Sequence, residues 1–171
     1  MHRESQNSTV STRAVRGILL MATLALASAA GGKENDLSIV RVYNGWREAA
    51  SFKRISEYFT GRENTGGQVV LRTHPDERGG YYFLVRVVNH GSPQAVTCGL
   101  DIVRAGNAGT STYTFATQLG SGTTVLNLGL TGGDWVDPKA DPVAWRLTVR
   151  STDGNTLASE RSYLWEKPGG P

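Results

Sequence analysis

Apolar and polar residues alternate along much of the second half of the chain, with a period of two. Successive side chains of a β-strand point to opposite faces, so this period predicts strands with one buried and one solvated face. The apolar faces of four such segments are Cys98, Leu100 and Ile102; Tyr113, Phe115 and Thr117; Leu126, Leu128 and Leu130; and Val143, Trp145, Leu147 and Val149. Four period-2 segments in succession favour an antiparallel sheet.

Three further strands are predicted in the first half. Residues 81–89 form the most apolar run and indicate a central strand, and residues 37–43 and 68–73 indicate two more. The stretch 46–59 places Phe52, Ile55, Tyr58 and Phe59 on one face of a helix, which predicts a short helix with a strand as the alternative.

Glycine-containing turns separate these segments. Asn44-Gly45 is expected to end the first strand. Asp153-Gly154 lies between residues 145–150 and 156–165 and predicts a hairpin, because both residues accept positive φ.

Seven or eight short strands over about 130 residues predict an all-β fold. We expect an antiparallel two-sheet β-sandwich of immunoglobulin-like size, with one short N-terminal helix and a closed barrel as the alternative. The chain has one cysteine, so it lacks the Cys…Trp…Cys framework of antibody domains, and the architecture assigns no family.

The N-terminus predicts export. Arg13 and Arg16 precede an apolar run over residues 17–26, and Ala27-Ser28-Ala29 supplies a small-residue cleavage site, so residues 1–29 resemble a secretory signal peptide. Cleavage after Ala30 is the alternative. Residues 30–36 are then a flexible lead-in, 37–166 the sandwich domain and 167–171 a disordered tail.

Composition and charge narrow the function. The chain is 39% apolar and 19% charged, which excludes wholesale disorder, and no second apolar run suggests a membrane span. Signal removal leaves 15 basic and 14 acidic residues, too small a surplus for nucleic-acid binding. Cys98 can form no intramolecular disulfide and is expected to be buried.

Two candidate ligand sites share one loop. Asp134, Asp137 and Asp141 supply carboxylate oxygens, the ligands of calcium, although their spacing fits no EF-hand and a solvated loop explains them as well. An exposed Trp135 ring could stack on a sugar, whereas Trp145 is expected in the core.

Arginines on strands offer a third candidate. Arg86, Arg146 and Arg150 have the parity opposite to the apolar face, so on neighbouring strands they would form an outward basic stripe that meets an acidic partner. Solubility explains them equally. His74 and His90 both fall in turns, and no hydrolase motif is present.

The sequence therefore predicts an exported, non-catalytic binding or structural module, periplasmic or extracellular, that engages a protein partner of the envelope or exterior through a sheet edge or the arginines. A glycan-binding module centred on Trp135 and a poorly marked secreted enzyme are the alternatives. No cofactor is expected beyond the calcium hypothesis.

Overall fold

A computed structural model describes residues 36–106 and 109–166. The predicted signal peptide, residues 30–35 of the lead-in and the tail at 167–171 lie outside the described residues. No helix in the described part of the chain is long and apolar enough to cross a membrane.

Eight strands and a few short helical turns make up the described chain. The strands are β1 (Leu37–Arg47), β2 (Val69–Arg72), β3 (Gly80–Asn89), β4 (Gln94–Arg104), β5 (Thr110–Leu119), β6 (Gly122–Thr131), β7 (Pro142–Ser151) and β8 (Thr156–Arg161). The α-helix α1 spans Ile55–Thr60, and 3-10 turns occupy Ala49–Phe52, Gly132–Asp134 and Tyr163–Glu166.

The described strands form two four-stranded sheets, which confirms the β-sandwich. Sheet 1 has the order β1-β3-β6-β2, and sheet 2 has the order β5-β4-β7-β8. The expectation of a wholly antiparallel fold is wrong at one pairing, because β2 runs parallel to β6. The chain crosses from one edge of sheet 1 to the other between β1 and β2, and such a crossover lets β2 enter in either direction.

The core lies between the inner faces of the two sheets. In sheet 1, Phe83 of β3 pairs with Leu128 of β6, and both side chains are fully buried. In sheet 2, Leu100 of β4 pairs with Leu147 of β7, and both are again fully buried. The period-2 segments of the sequence thus correspond to β4, β5, β6 and β7, and the predicted central strand β3 lies between β1 and β6.

The predicted hairpin between β7 and β8 is confirmed. Gly154 has φ +82°, and the amide of Ser151 donates to the carbonyl of Asn155 at 2.9 Å. The second strand ends at Arg161 rather than at residue 165, because the chain turns into the 3-10 segment Tyr163–Glu166.

The first strand and the predicted helix differ from the sequence prediction. Asn44-Gly45 does not end β1, which runs on to Arg47 because both residues pair with β3. The predicted helix at 46–59 is divided into the 3-10 turn Ala49–Phe52 and α1, so its helical part is shorter than the apolar periodicity indicates.

This helical insertion covers part of the outer face of sheet 1. The Phe52 ring lies 4.6 Å from the ring of Tyr82, which points away from the core and is nevertheless fully buried. The Tyr82 hydroxyl donates to the carbonyl of Arg78 at 2.7 Å and accepts from Arg72 Nε at 2.9 Å. The insertion therefore has its own small anchor on the sandwich.

Candidate functional site: the open edge of sheet 2

The three aspartates of the predicted calcium site have separate partners. Asp134 lies 3.1 Å from His74, Asp141 accepts from the Tyr81 hydroxyl at 2.8 Å, and Asp137 accepts from the Lys139 amide at 2.9 Å. No group of three metal-ligating side chains occurs among the described residues. Each carboxylate instead fixes a neighbouring segment of the chain.

Trp135 is placed differently from an exposed sugar-stacking ring. It is only 4% exposed, with the Tyr81 ring 4.5 Å away and the Arg104 guanidinium 4.4 Å from its centroid. Its indole N–H donates to the carbonyl of Asp137 at 3.1 Å. Stacking on a ligand needs a free ring face, and these contacts occupy the ring.

A pocket of about 250 Å³ adjoins this tryptophan at one end of the sandwich. Arg104, Trp135 and Asp141 are among its lining residues. Arg104 donates to the Tyr113 hydroxyl at 2.7 Å and to the backbone carbonyl of Asp134. Burial is the main cause of a strongly raised pKa at Tyr81, so its hydroxyl stays protonated as the donor to Asp141. Apart from the buried Arg104 Nε, which has no hydrogen-bond partner among the described residues, these polar groups bond to one another, and the contacts join the loop to the strands.

The three candidate arginines do not form one stripe. Arg86 lies on β3 in sheet 1, whereas Arg146 and Arg150 lie on β7 in sheet 2, and the two outer faces are on opposite sides of the sandwich. Arg146 is paired with Asp101 at 2.8 Å. Arg86 instead stands opposite Arg41 of β1 in the sheet register.

The positions of the cysteine and of the two histidines of the domain indicate structural rather than chemical roles. Cys98 is fully buried, as expected, and burial raises the pKa of its thiol to about 11. His90 is exposed in the turn that follows β3. His74 is tied to strand β6, because its backbone N–H donates to Thr131 Oγ1 and its carbonyl accepts from the same hydroxyl, both at 3.0 Å.

The edges of the two sheets differ in how they are protected. Natural edge strands avoid unwanted pairing by being short, by carrying charges or proline, or by bulging. Strand β1 has a register irregularity between Ile39 and Arg41. Strand β2 has four residues, and β8 has six, with a charged C-terminal end and an irregularity in its pairing.

Strand β5 has none of these protections. Its sequence, Thr110–Leu119, contains no charged residue, proline or glycine, and its pairing with β4 continues without a shift. No backbone group of β5 bonds to any described strand other than β4. One full side of this ten-residue strand, hereafter the open edge, is therefore left with donors and acceptors that no described strand pairs.

A groove of about 420 Å³ runs beside the open edge. Thr114, Phe115 and Ala116 of β5 form one wall, and the β2 residues Val70 and Leu71 contribute to the other. The groove is thus the gap between an edge of sheet 2 and an edge of sheet 1. Because β2 is much shorter than β5, it covers only part of the length of the open edge.

The charges at the groove are already neutralised. Arg72 lies 2.6 Å from Glu63, and the Arg72 side chain is only 6% exposed. The hydrogen bond from Arg72 lowers the pKa of Glu63, so this carboxylate is ionised at neutral pH. An uncharged, extended segment would meet apolar side chains and backbone groups here rather than a free charge.

Comparisons with protein-family models, curated proteins and solved structures give no match.

The pattern of residues along the chain does not identify β5 as an open edge. The sequence of residues 110–119 contains no charged residue, but the sequence of a strand does not show whether it has one neighbouring strand or two. Only the order β5-β4-β7-β8 places this uncharged segment at the edge.

Proposed function

We propose that this protein is an exported, non-catalytic binding module that engages a protein of the envelope or exterior through the open edge of β5. The partner supplies an extended segment that pairs with β5 as an added strand. Strand addition of this kind draws affinity from main-chain hydrogen bonds and specificity from side-chain pockets beside the edge.

The observation that supports the proposal most directly is the unprotected length of β5. Ten residues continue in register without a charge or a bulge, whereas β1, β2 and β8 each carry at least one such protection. A long, regular edge strand without a partner promotes aggregation, so its retention in a protein suggests that it pairs with a binding partner. The groove beside Phe115, lined by both apolar and polar side chains, offers the side-chain recognition that such a use requires.

The experiment pairs affinity capture with amide hydrogen exchange. The domain captures its partner from an envelope extract of its source, and exchange of the β5 amides is then measured with and without the purified partner. Alternate residues of a strand direct their N–H groups to opposite edges, so strand addition protects every second amide between Thr110 and Leu119. Contact through a face of the sheet gives no such alternation.

Proline substitutions test the same edge by removing one donor. Ala116→Pro and Thr117→Pro remove N–H groups on opposite edges of β5. The N–H on one edge bonds to β4, and its loss destabilises the sheet, whereas the variant that loses the outward N–H keeps the stability of the parent. That variant should bind the partner about tenfold more weakly, since one lost hydrogen bond is worth about 1 kcal/mol and the ring adds a steric conflict.

A charge-matched pair provides the control. Thr114→Lys places a cation on the exposed edge strand, and Thr123→Lys places the same cation at an exposed position of β6, which lies inside sheet 1. Only Thr114→Lys should weaken capture. Equal capture by the parent, the tolerated proline variant and Thr114→Lys would rule out the open edge as the binding site.

A further inference from the structure

The short helix α1 presents three large apolar side chains to solvent. Ile55 is 79% exposed, Tyr58 77% and Phe59 85%, among the highest values of the apolar residues in the described chain. Positions i, i+3 and i+4 lie on one face of a helix, so the three side chains form a continuous surface, hereafter the apolar knob. Isolated exposed apolar residues are ordinary, but a contiguous group marks an interaction surface.

The knob is held in place from the opposite side of the helix. Glu57 accepts from Arg78 Nη1 at 2.6 Å and from the Asn64 amide at 3.1 Å. Gly61, at φ +65°, ends the helix and donates to the carbonyl of Glu57 at 2.9 Å. Together with the Phe52 anchor on sheet 1, these bonds direct the apolar face of α1 outward.

The charges around the knob are cationic. Lys53, Arg54 and Arg62 flank α1 on both sides and are exposed, and their charged side-chain groups form no ion pair with a carboxylate among the described residues. Of the carboxylates in this insertion, Glu57 pairs with Arg78 and Glu63 with Arg72, whereas Glu48 accepts a hydrogen bond from Trp46 Nε1. This segment therefore combines an apolar tip with three cations that form no described ion pair and one such carboxylate, Glu48, which leaves a positive surplus beside the knob.

We propose that the apolar knob docks this protein onto an anionic phospholipid bilayer surface. Aromatic and aliphatic side chains enter the boundary between headgroups and acyl chains, and cations beside them contact anionic headgroups. A helix of six residues projects as a compact tip, whereas a partner protein groove is read by a longer stripe that reaches the i+7 position. The bilayer is therefore the occupant that the shape and the charge favour.

The docking is peripheral and uses residues other than those of the open edge, although Glu63 of the insertion also lines the groove beside that edge. The knob lies on the insertion between β1 and β2, on the outer side of sheet 1, and the open edge belongs to sheet 2. The protein can therefore contact a membrane through the apolar knob and bind a partner strand through the open edge.

Vesicle co-sedimentation tests the proposal. The protein is purified as its source cell produces it, so that every variant shares one N-terminus, and is mixed with vesicles of phosphatidylcholine alone or with added phosphatidylglycerol. The parent should bind the anionic vesicles and release them as salt is raised. The double substitution Tyr58→Ser with Phe59→Ser should weaken binding at least about tenfold, because both rings lose their place in the interface.

The matched control is Val136→Ser, which removes an exposed apolar side chain at another site and should leave vesicle binding unchanged. Lys53→Gln and Arg62→Gln should each weaken binding to anionic vesicles about fivefold, since one cation near such a surface is worth about 1 kcal/mol. The substitutions lie on exposed side chains, and an unaltered unfolding temperature verifies that the fold is retained.

Three outcomes would overturn the proposal. In the first, the parent does not bind anionic vesicles, and in the second, the parent and the knob double variant bind them equally. In the third, the double variant still binds vesicles but no longer captures its protein partner. The last would make the knob a protein-docking surface. The β5 variants should bind vesicles like the parent, so failure of lipid docking and failure of strand addition are separately visible.

Discussion

The substitution Gly129→Ala tests the packing that anchors the helical insertion. Tyr82 of β3 lies between two glycines in the sheet register, Gly45 of β1 and Gly129 of β6. A Cβ at Gly129 would lie 2.4 Å from Tyr82 Cε1, whereas a Cβ at Gly45 would have no neighbour within 4 Å. The same added methyl group thus meets a buried ring at one position and open space at the other.

The magnitudes follow from these distances. Neither glycine has a positive φ, so the conflict at Gly129 is steric. Displacing the Tyr82 ring also disturbs Phe52 above it, and overpacking of this kind costs about 1–3 kcal/mol. At about 2.1 cal/mol/K per residue over about 130 residues, a loss of about 2 kcal/mol lowers the Tm by about 7 °C. Gly45→Ala should be neutral or up to about 1 kcal/mol more stable, because it restricts the unfolded chain.

Urea and thermal unfolding, followed by the fluorescence of the four tryptophans, measure both variants. A third variant, Tyr82→Leu with Gly129→Ala, should show little further loss relative to Tyr82→Leu alone, since the ring is gone. Equal stability of Gly129→Ala and Gly45→Ala would refute the packing argument. So would an undiminished loss from Gly129→Ala in the Tyr82→Leu background.

Three further predictions concern buried and paired groups. The hydrogen bond from Arg72 lowers the pKa of Glu63 below its ordinary value of 4.5. The ionised carboxylate therefore stabilises the fold fully above pH 4.5, and this stabilisation is lost as pH falls through the folded-state pKa. Glu63→Gln should be less stable than the parent at pH 7, and urea unfolding should show this difference shrinking in acid. Native Cys98 should resist thiol reagents at pH 7, because with a pKa of about 11 only about one thiol in 10⁴ is ionised, and rapid stoichiometric labelling of the folded protein would contradict its burial. Thr131→Val should destabilise by about 2 kcal/mol, as the fully buried hydroxyl both accepts from and donates to the turn before β3, whereas exposed Thr123→Val should be neutral in the same unfolding assay.

The core strands were predictable because their chemistry is local. Period-2 alternation located β4 to β7, and the Asp153-Gly154 turn located the last hairpin. The parallel pairing of β2 was not predictable, because residues 68–73 read the same in either direction and the partner strand lies far along the chain. Asn44-Gly45 misled for a related reason: continued pairing with β3 overrides a local turn preference.

The candidate site residues were harder to predict than the strands. The sugar-stacking hypothesis required an exposed Trp135 ring, but the contacts of this ring with Tyr81 and Arg104 come from distant strands. The stripe of arginines required Arg86 and Arg146 to share a sheet, and strand order decides that. The helical face at residues 52–59 was visible in the sequence, yet only the structure shows Phe52 turned inward and Phe59 outward.

The parallel pairing of β2 also determines the order in which the chain can fold. Val69 pairs with Leu126, far along the chain, so β2 has no strand partner until β6 has been synthesised. Closing so long a loop is slow compared with forming the β7–β8 hairpin, whose partners are neighbours. Until then the short strand β2 has no strand beside it on the growing chain, and its pairing with β6 completes sheet 1. Assembly of this sandwich therefore cannot proceed simply from the first strand to the last.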